Sequence, residues 1–153
     1  MRGAVLDILG PGWMEQRLVW DLYAGSGAFG LEALGCGAKR AAFVDRNARS
    51  SRLISRFLRK RAALERAVII RGDVRRAVED IGFEPDLVFA DPPYDDEEAY
   101  SWLEGLDWSR LCRPGARVFV EARSGTSLPG WKRREYGGSV LFERRTERKP
   151  QEE

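Results

Sequence analysis

Short apolar runs alternate with helical stretches along most of this chain, and several of those runs close on an acid. Leu18 to Tyr23, Ala41 to Val44, Ala67 to Ile70, Asp86 to Ala90 and Ala116 to Glu121 have strand length and strand composition. Between and beyond them, Ala28 to Leu34, Arg46 to Leu64, Val74 to Ile81 and Glu97 to Leu111 have helical patterns. Strands joined through helices run parallel, and their sheet is covered on both faces. The end of the chain breaks this rhythm. Trp131 to Tyr136 and Ser139 to Arg145 flank Gly137-Gly138, a hairpin signal. Ahead of everything, Val5, Leu6, Ile8 and Leu9 form a short amphipathic helix stopped by Gly10-Pro11-Gly12. The expectation is an α/β domain over 1–146. Its sheet is mostly parallel with a C-terminal antiparallel hairpin, and helices lie on both faces. A charged tail occupies 147–153.

Composition narrows the chemistry. With 153 residues, 43% hydrophobic and 33% charged, the chain suits one soluble globular domain. No apolar run approaches a membrane span, and Met1-Arg2-Gly3-Ala4 lacks a secretory pattern, so a cytoplasmic location is expected. Cys36 and Cys112 have no metal-ligand spacing and read as reduced thiols. The absence of histidine excludes histidine bases, triads and His-ligated metals, and no metal is expected. Net charge is only +2, but the cations are nearly all Arg, with Lys only at 39, 60, 132 and 149. Arg suits phosphate and base contacts, although genomic base composition explains the bias equally well.

Gly25-Ser26-Gly27-Ala28-Phe29-Gly30 matches G-x-G-x-x-G between a strand and a helix. There, glycines permit a tight turn and close approach of backbone to a ligand. Asp45 follows Gly25 by twenty positions, at the end of the second strand, where an acid can accept from ribose hydroxyls. Loop and acid together indicate an adenosine-containing cofactor, either NAD or S-adenosylmethionine. Asp21, just before the loop, would repel a pyrophosphate but attract a methionine ammonium. Asp73, after the third strand, is placed to accept from an adenine amine. The closing hairpin is foreign to dinucleotide folds. These three features favour S-adenosylmethionine. Taken singly, Asp21 and Asp73 read equally well as ordinary capping acids; together, at the C-terminal ends of successive strands, they mark a ligand crevice.

The fourth strand runs straight into Asp91-Pro92-Pro93-Tyr94. Two prolines fix φ and remove N–H donors, so a stiff turn presents bare carbonyls beside a carboxylate and an aromatic ring. That set suits gripping a planar amine by its hydrogens while its nitrogen reacts.

The run Asp21-Leu22-Tyr23-Ala24-Gly25-Ser26-Gly27-Ala28-Phe29-Gly30-Leu31-Glu32-Ala33-Leu34, then Val44-Asp45-Arg46, then the acid–proline turn resemble class I methyltransferases. More narrowly they resemble the bacterial 16S ribosomal RNA guanine-N2 methyltransferases of the RsmD family, over nearly the whole chain. Val5-Leu6-Asp7-Ile8-Leu9 resembles the helix that family places before its first strand. Its members usually carry a basic segment and a small β-element ahead of that helix, which contribute to substrate binding and which this sequence opens without. The resemblance implies a Rossmann-like sheet and S-adenosylmethionine as cofactor. It implies 16S rRNA or the small ribosomal subunit as partner, and a monomer. It carries over Asp91, Pro92, Pro93 and Tyr94 as catalytic residues. It carries over Asp21, Tyr23, Ala24, Gly25, Ser26, Gly27, Asp45, Arg46, Asp73, Val74 and Asp91 as cofactor-binding residues.

Arg49, Arg52, Arg56, Arg59 and Lys60 share one face of the long helix, with Leu53, Ile54, Phe57 and Leu58 expected on the other. The stripe reads first as a solvated face and second as a phosphate-contacting surface. Arg75, Arg76, Lys132, Arg133 and Arg134 form smaller basic clusters. Asp95, Asp96, Glu97 and Glu98 read as complements to the start of the next helix. Other functions compatible with the motifs are methylation of DNA adenine N6 or protein glutamine, an NAD-dependent oxidoreductase, and a non-catalytic RNA-binding assembly factor.

Overall fold

A computed structural model describes residues 2–147; all but the first residue of the expected charged tail lies outside them. In chain order the elements are α1 (Arg2–Leu9), β1 (Leu18–Leu22), α2 (Ala28–Gly35), β2 (Arg40–Asp45), α3 (Ala48–Lys60), β3 (Ala67–Arg71), α4 (Val74–Ala77), β4 (Leu87–Ala90), α5 (Glu97–Gly105), α6 (Trp108–Leu111), β5 (Arg117–Arg123), β6 (Lys132–Tyr136) and β7 (Ser139–Arg145). One seven-stranded sheet has the order β3-β2-β1-β4-β5-β7-β6. Strands β1 to β5 pair in parallel, and β7 and β6 close the sheet antiparallel.

Alternation along the strands sorts the core into two layers. Trp20, Leu22, Val88, Ala90, Val118 and Val120 face α4, α5 and α6 through Val74, Tyr100, Leu103 and Trp108. Val19, Phe43, Leu87, Phe89 and Phe119 face α1, α2 and α3 through Val5, Phe29, Leu34, Ile54 and Leu58. Phe29 and Phe89 stack across that second layer with ring centroids 4.4 Å apart.

The hairpin joins the sheet by its second strand. Val140-Leu141-Phe142 of β7 is buried on both faces and takes the inner position. Lys132-Arg133-Arg134-Glu135-Tyr136 of β6 is largely exposed and forms the charged edge, which discourages pairing with other chains. Glu143 pins the arrangement. It is buried, and its carboxylate accepts from Arg117 Nε at 2.7 Å, Arg134 Nη1 at 3.0 Å and Arg145 Nε at 3.3 Å. Burial opposes ionisation of Glu143, but the bonds from Arg117 and Arg134 outweigh it and hold the carboxyl below its usual range.

Several helices are shorter than the sequence pattern suggests. Asn47 caps α3 by accepting from the Arg49 N–H at 2.8 Å. The helix ends at Lys60, before Ala62 at φ 52° and a 3-10 turn over Leu64–Arg66. The expected helix from Val74 to Ile81 is a single turn, and the one from Glu97 to Leu111 is two helices broken at Leu106-Asp107. The apolar side of α3 is also narrower. Ser50, Ile54 and Leu58 are buried, whereas Leu53 (44% exposed) and Phe57 (38%) stand in solvent, with the Arg61 guanidinium 3.5 Å from the Phe57 ring centroid. A stripe at i, i+4, i+8 suffices where the helix covers only the flank of a sheet. Among the described residues no helix is long and apolar enough to cross a membrane.

Candidate active site

Register places the acids of successive strands in one row. Leu22 pairs with Val44 and with Ala90, and Ala90 pairs with Val120. The next position on each chain is therefore Asp45, Tyr23, Asp91 and Glu121, at the C-terminal rim where parallel sheets bind ligands. A cavity of about 470 Å³ opens on that rim. Its wall brings together Tyr23, Asp45, Arg46, Asp73, Val74, Asp91, Pro92, Pro93 and Tyr94, all named from the sequence. Gly72, Arg75, Asp96 and Ala99 complete it and were not anticipated as site residues. Asp96 had a visible signal: it is the cap of α5, accepting from the Ala99 N–H at 3.1 Å, and that cap happens to face the cavity.

The glycine loop is held from both sides. Gly27, at φ 77°, begins α2, and a Cβ there would lie 2.6 Å from Ile54 Cγ1. The Gly25 N–H donates to Asp45 Oδ2 at 2.8 Å, and the Asn47 N–H donates to Asp45 Oδ1 at 2.8 Å. Asp45 thus straps the loop to the start of α3 while facing the cavity. Asp21 lies directly before the loop. It is 2% exposed, and its Oδ2 accepts from the Gly30 N–H at 3.0 Å, so it braces the start of α2 beneath the loop. Asp21, Ala24, Gly25, Ser26 and Gly27 are not among the residues lining the cavity.

Tyr23 has a left-handed backbone, φ 59°, which costs a non-glycine residue strain and turns the chain sharply at the rim. Burial, and then the charge of Asp96, pushes its phenol up to about 12. Asp73 caps α4, accepting from the Arg75 N–H at 3.0 Å and from Arg46 Nη2 at 3.3 Å. The Arg75 backbone bond is the main reason its carboxyl lies below the usual range. The capping reading therefore holds for Asp73, and the residue lines the cavity as well.

The acid–proline turn forms the opposite wall. Asp91 follows β4 directly, its N–H donating to the Leu22 carbonyl at 3.3 Å. Its carboxylate remains accessible from the crevice, yet the crowding around it disfavours charge and raises its pKa. The buried Tyr100 hydroxyl lies 3.3 Å from the Pro92 carbonyl and 3.4 Å from the Glu121 backbone carbonyl. Tyr94 is 47% exposed, with the Arg123 guanidinium 5.7 Å from its ring centroid. Its ring also borders a second cavity of about 530 Å³ between α5 and residues 123–128.

Comparison with known proteins fits this geometry. A family model described as "Conserved hypothetical protein 95" matches residues 1–142. The Bacillus subtilis protein named "Putative rRNA methyltransferase YlbH" is 27% identical over 134 residues, covering 84% of this chain and 71% of that protein. A conserved hypothetical protein of Streptococcus pyogenes is 29% identical with TM-score 0.83, covering 96% of each chain. The Thermus thermophilus 16S rRNA N2 G1207 methyltransferase RsmC, solved with AdoMet and guanosine, has TM-score 0.78 at 20% identity, covering 94% of this chain and 41% of that one, a likeness of fold. Matched over residues 1–142, this chain belongs to the Conserved hypothetical protein 95 family, the RsmD family.

Proposed function

We propose that this protein transfers a methyl group from S-adenosylmethionine to the exocyclic N2 amine of a guanine in 16S ribosomal RNA. The observation that carries the reading is the shared cavity. The acid–proline turn forms one wall, and Asp45, Asp73 and Val74 form the other. The relative YlbH, whose name gives rRNA as its substrate, supports the choice of RNA.

The residues fit the cofactor. Val74, Pro92 and Ala99 offer apolar surface for an adenine plane, and Asp45 keeps lone pairs for ribose hydroxyls beyond the two backbone bonds it accepts. Asp73 lines the same wall and offers an acceptor to the adenine amine. When bound, the cofactor supplies an electrophilic methyl group on a positively charged sulfur.

The remaining work belongs to this chain. A guanine N2 lone pair is delocalised into the ring and attacks poorly. Asp91 and the Pro92 carbonyl accept the two amine hydrogens, which turns the nitrogen and frees its lone pair. Pro92 and Pro93 carry no N–H to compete for those acceptors. Tyr94 stacks on the base, worth roughly 1–3 kcal/mol. A base reaching it must first leave its helix. Holding the two reactants in line supplies a large part of the rate.

The test is methyl-labelled S-adenosylmethionine offered with small ribosomal subunits, naked RNA, DNA and total protein, followed by nucleoside mass spectrometry. N2-methylguanosine in 16S rRNA supports the reading. Label in DNA or protein, or cofactor binding with no transfer, overturns it. In a matching control, Asp91→Ala loses kcat even at saturating S-adenosylmethionine.

A further inference from the structure

Glu121 is a buried carboxylate that the mechanism above leaves unused. It is 9% exposed and occupies the position on β5 beside Asp91 in the parallel register. Among the described residues no hydrogen-bond donor reaches its side-chain oxygens or those of Asp91. Its cross-strand partner on β7 is the apolar Leu141. From α5, Tyr100 spends its hydroxyl on the Pro92 and Glu121 backbone carbonyls. Arg123, two residues along β5, reaches over the Tyr94 ring. Asp21, on the same side of the sheet, accepts from Gly30. Burial and the Asp91 charge disfavour ionisation of Glu121, and the charge of the chain's N-terminal ammonium opposes them at both Glu121 and Asp91. The group placed to share a proton with it is Asp91.

We propose that Glu121 is the proton-sharing partner of Asp91, so that the two carboxylates together receive the proton that leaves the target amine. The inference rests on the reading of Asp91 as the group that grips that amine. The nitrogen lone pair forms the new N–C bond while the S–C bond breaks and its electron pair stays on sulfur. The cationic nitrogen then keeps the electrons of one N–H bond and releases that proton to Asp91, which shares it with Glu121. Before transfer, both carboxylates are ionised and face the positive charge as it passes from sulfur to nitrogen. Burial, and then the charge of Asp91, pushes the Glu121 carboxyl up to about 6, as close like charges require.

The experiment measures kcat against pH and the side-chain carboxyl titrations by ¹³C NMR, for the wild-type protein and Glu121→Gln. With glutamine in place, Asp91 loses its repulsive neighbour. The upper step of the pair, near 6, disappears, Asp91 titrates alone in a single step at lower pH, and the acidic limb of the kcat profile moves down with it. The plateau kcat falls about tenfold or more, while S-adenosylmethionine affinity holds. A step near 6 that survives Glu121→Gln, or an unchanged acidic limb, overturns the proposal. In the wild-type protein alone, the two carboxyls titrate as a coupled pair, and independent single-step titrations at ordinary values overturn it without any variant. A wild-type protein that methylates no amine refutes the proposed function instead, and the carboxyl titrations then still decide the pairing.

Discussion

The Tyr100 hydroxyl sits 3.3 Å from the carbonyl oxygen of Pro92 and ties the acid–proline turn to the body of the domain. The same Tyr100 hydroxyl lies 3.4 Å from the Glu121 backbone carbonyl, so α5, the turn and the end of β5 meet at one atom. Backbone bonds hold the turn at Asp91 and at the Pro93 carbonyl, and Tyr100 adds a side-chain bond at the Pro92 carbonyl between them. Burial, with Asp91 as the next cause, raises the Tyr100 pKa, so the phenol keeps its proton for this bond. Tyr100→Phe is expected to lower kcat about tenfold through misplacement of the Pro92 carbonyl, with little change in cofactor affinity. The lost hydrogen bond costs about 1 kcal/mol of stability. Steady-state kinetics beside calorimetric titration and thermal unfolding check both.

Asp45 accepts from the amides of Gly25 and Asn47. Asp45→Ala removes both acceptors and the polar rim they support. The expected result is S-adenosylmethionine affinity weakened about tenfold or more, consistent with at least one charge-assisted bond lost. Isothermal titration calorimetry measures it.

Gly30 has ordinary backbone geometry but no room for a side chain, because a Cβ would enter the space of the Phe43 ring. Phe43 is 1% exposed and walled in by its layer. Gly30→Ala is expected to destabilise the fold by about 1–3 kcal/mol through overpacking, read as a lower denaturation midpoint at unchanged m-value.

Glu143 makes stability depend on acid. Its folded pKa lies below the unfolded value, so its contribution is complete above the ordinary glutamate value and is lost as pH falls through the folded one. Glu143→Gln leaves Arg117 and Arg134 without their counter-charge and is expected to cost about 3–5 kcal/mol near neutrality. The gap between wild type and variant should close as pH drops below about 4.3, the ordinary glutamate value. Urea unfolding across that range checks it.

Arg52 and Arg56 lie exposed on α3 beside Leu53 and Phe57, also in solvent. If this mixed basic and aromatic face meets RNA, reversing both charges to Glu weakens binding and flattens its salt dependence, because fewer counterions are released. Unchanged affinity and slope would leave a purely solvated face. Filter binding across a salt series distinguishes them.

The sequence alone determined the element order, the parallel body, the closing hairpin and the acids at the strand ends. Each of these follows from local signals: apolar periodicity, glycine and proline at turns, and the identity of the residue that leaves each strand. The acid–proline turn and Asp45 were legible because their chemistry is confined to a few consecutive residues. Tertiary structure decided the rest. It folded Asp21 under the glycine loop, set Glu121 beside Asp91, brought Tyr100 to the Pro92 carbonyl, and placed β7 rather than β6 against β5. Those are relations between residues far apart in the chain, fixed by which strands pair and in what register, and no local pattern carries that information.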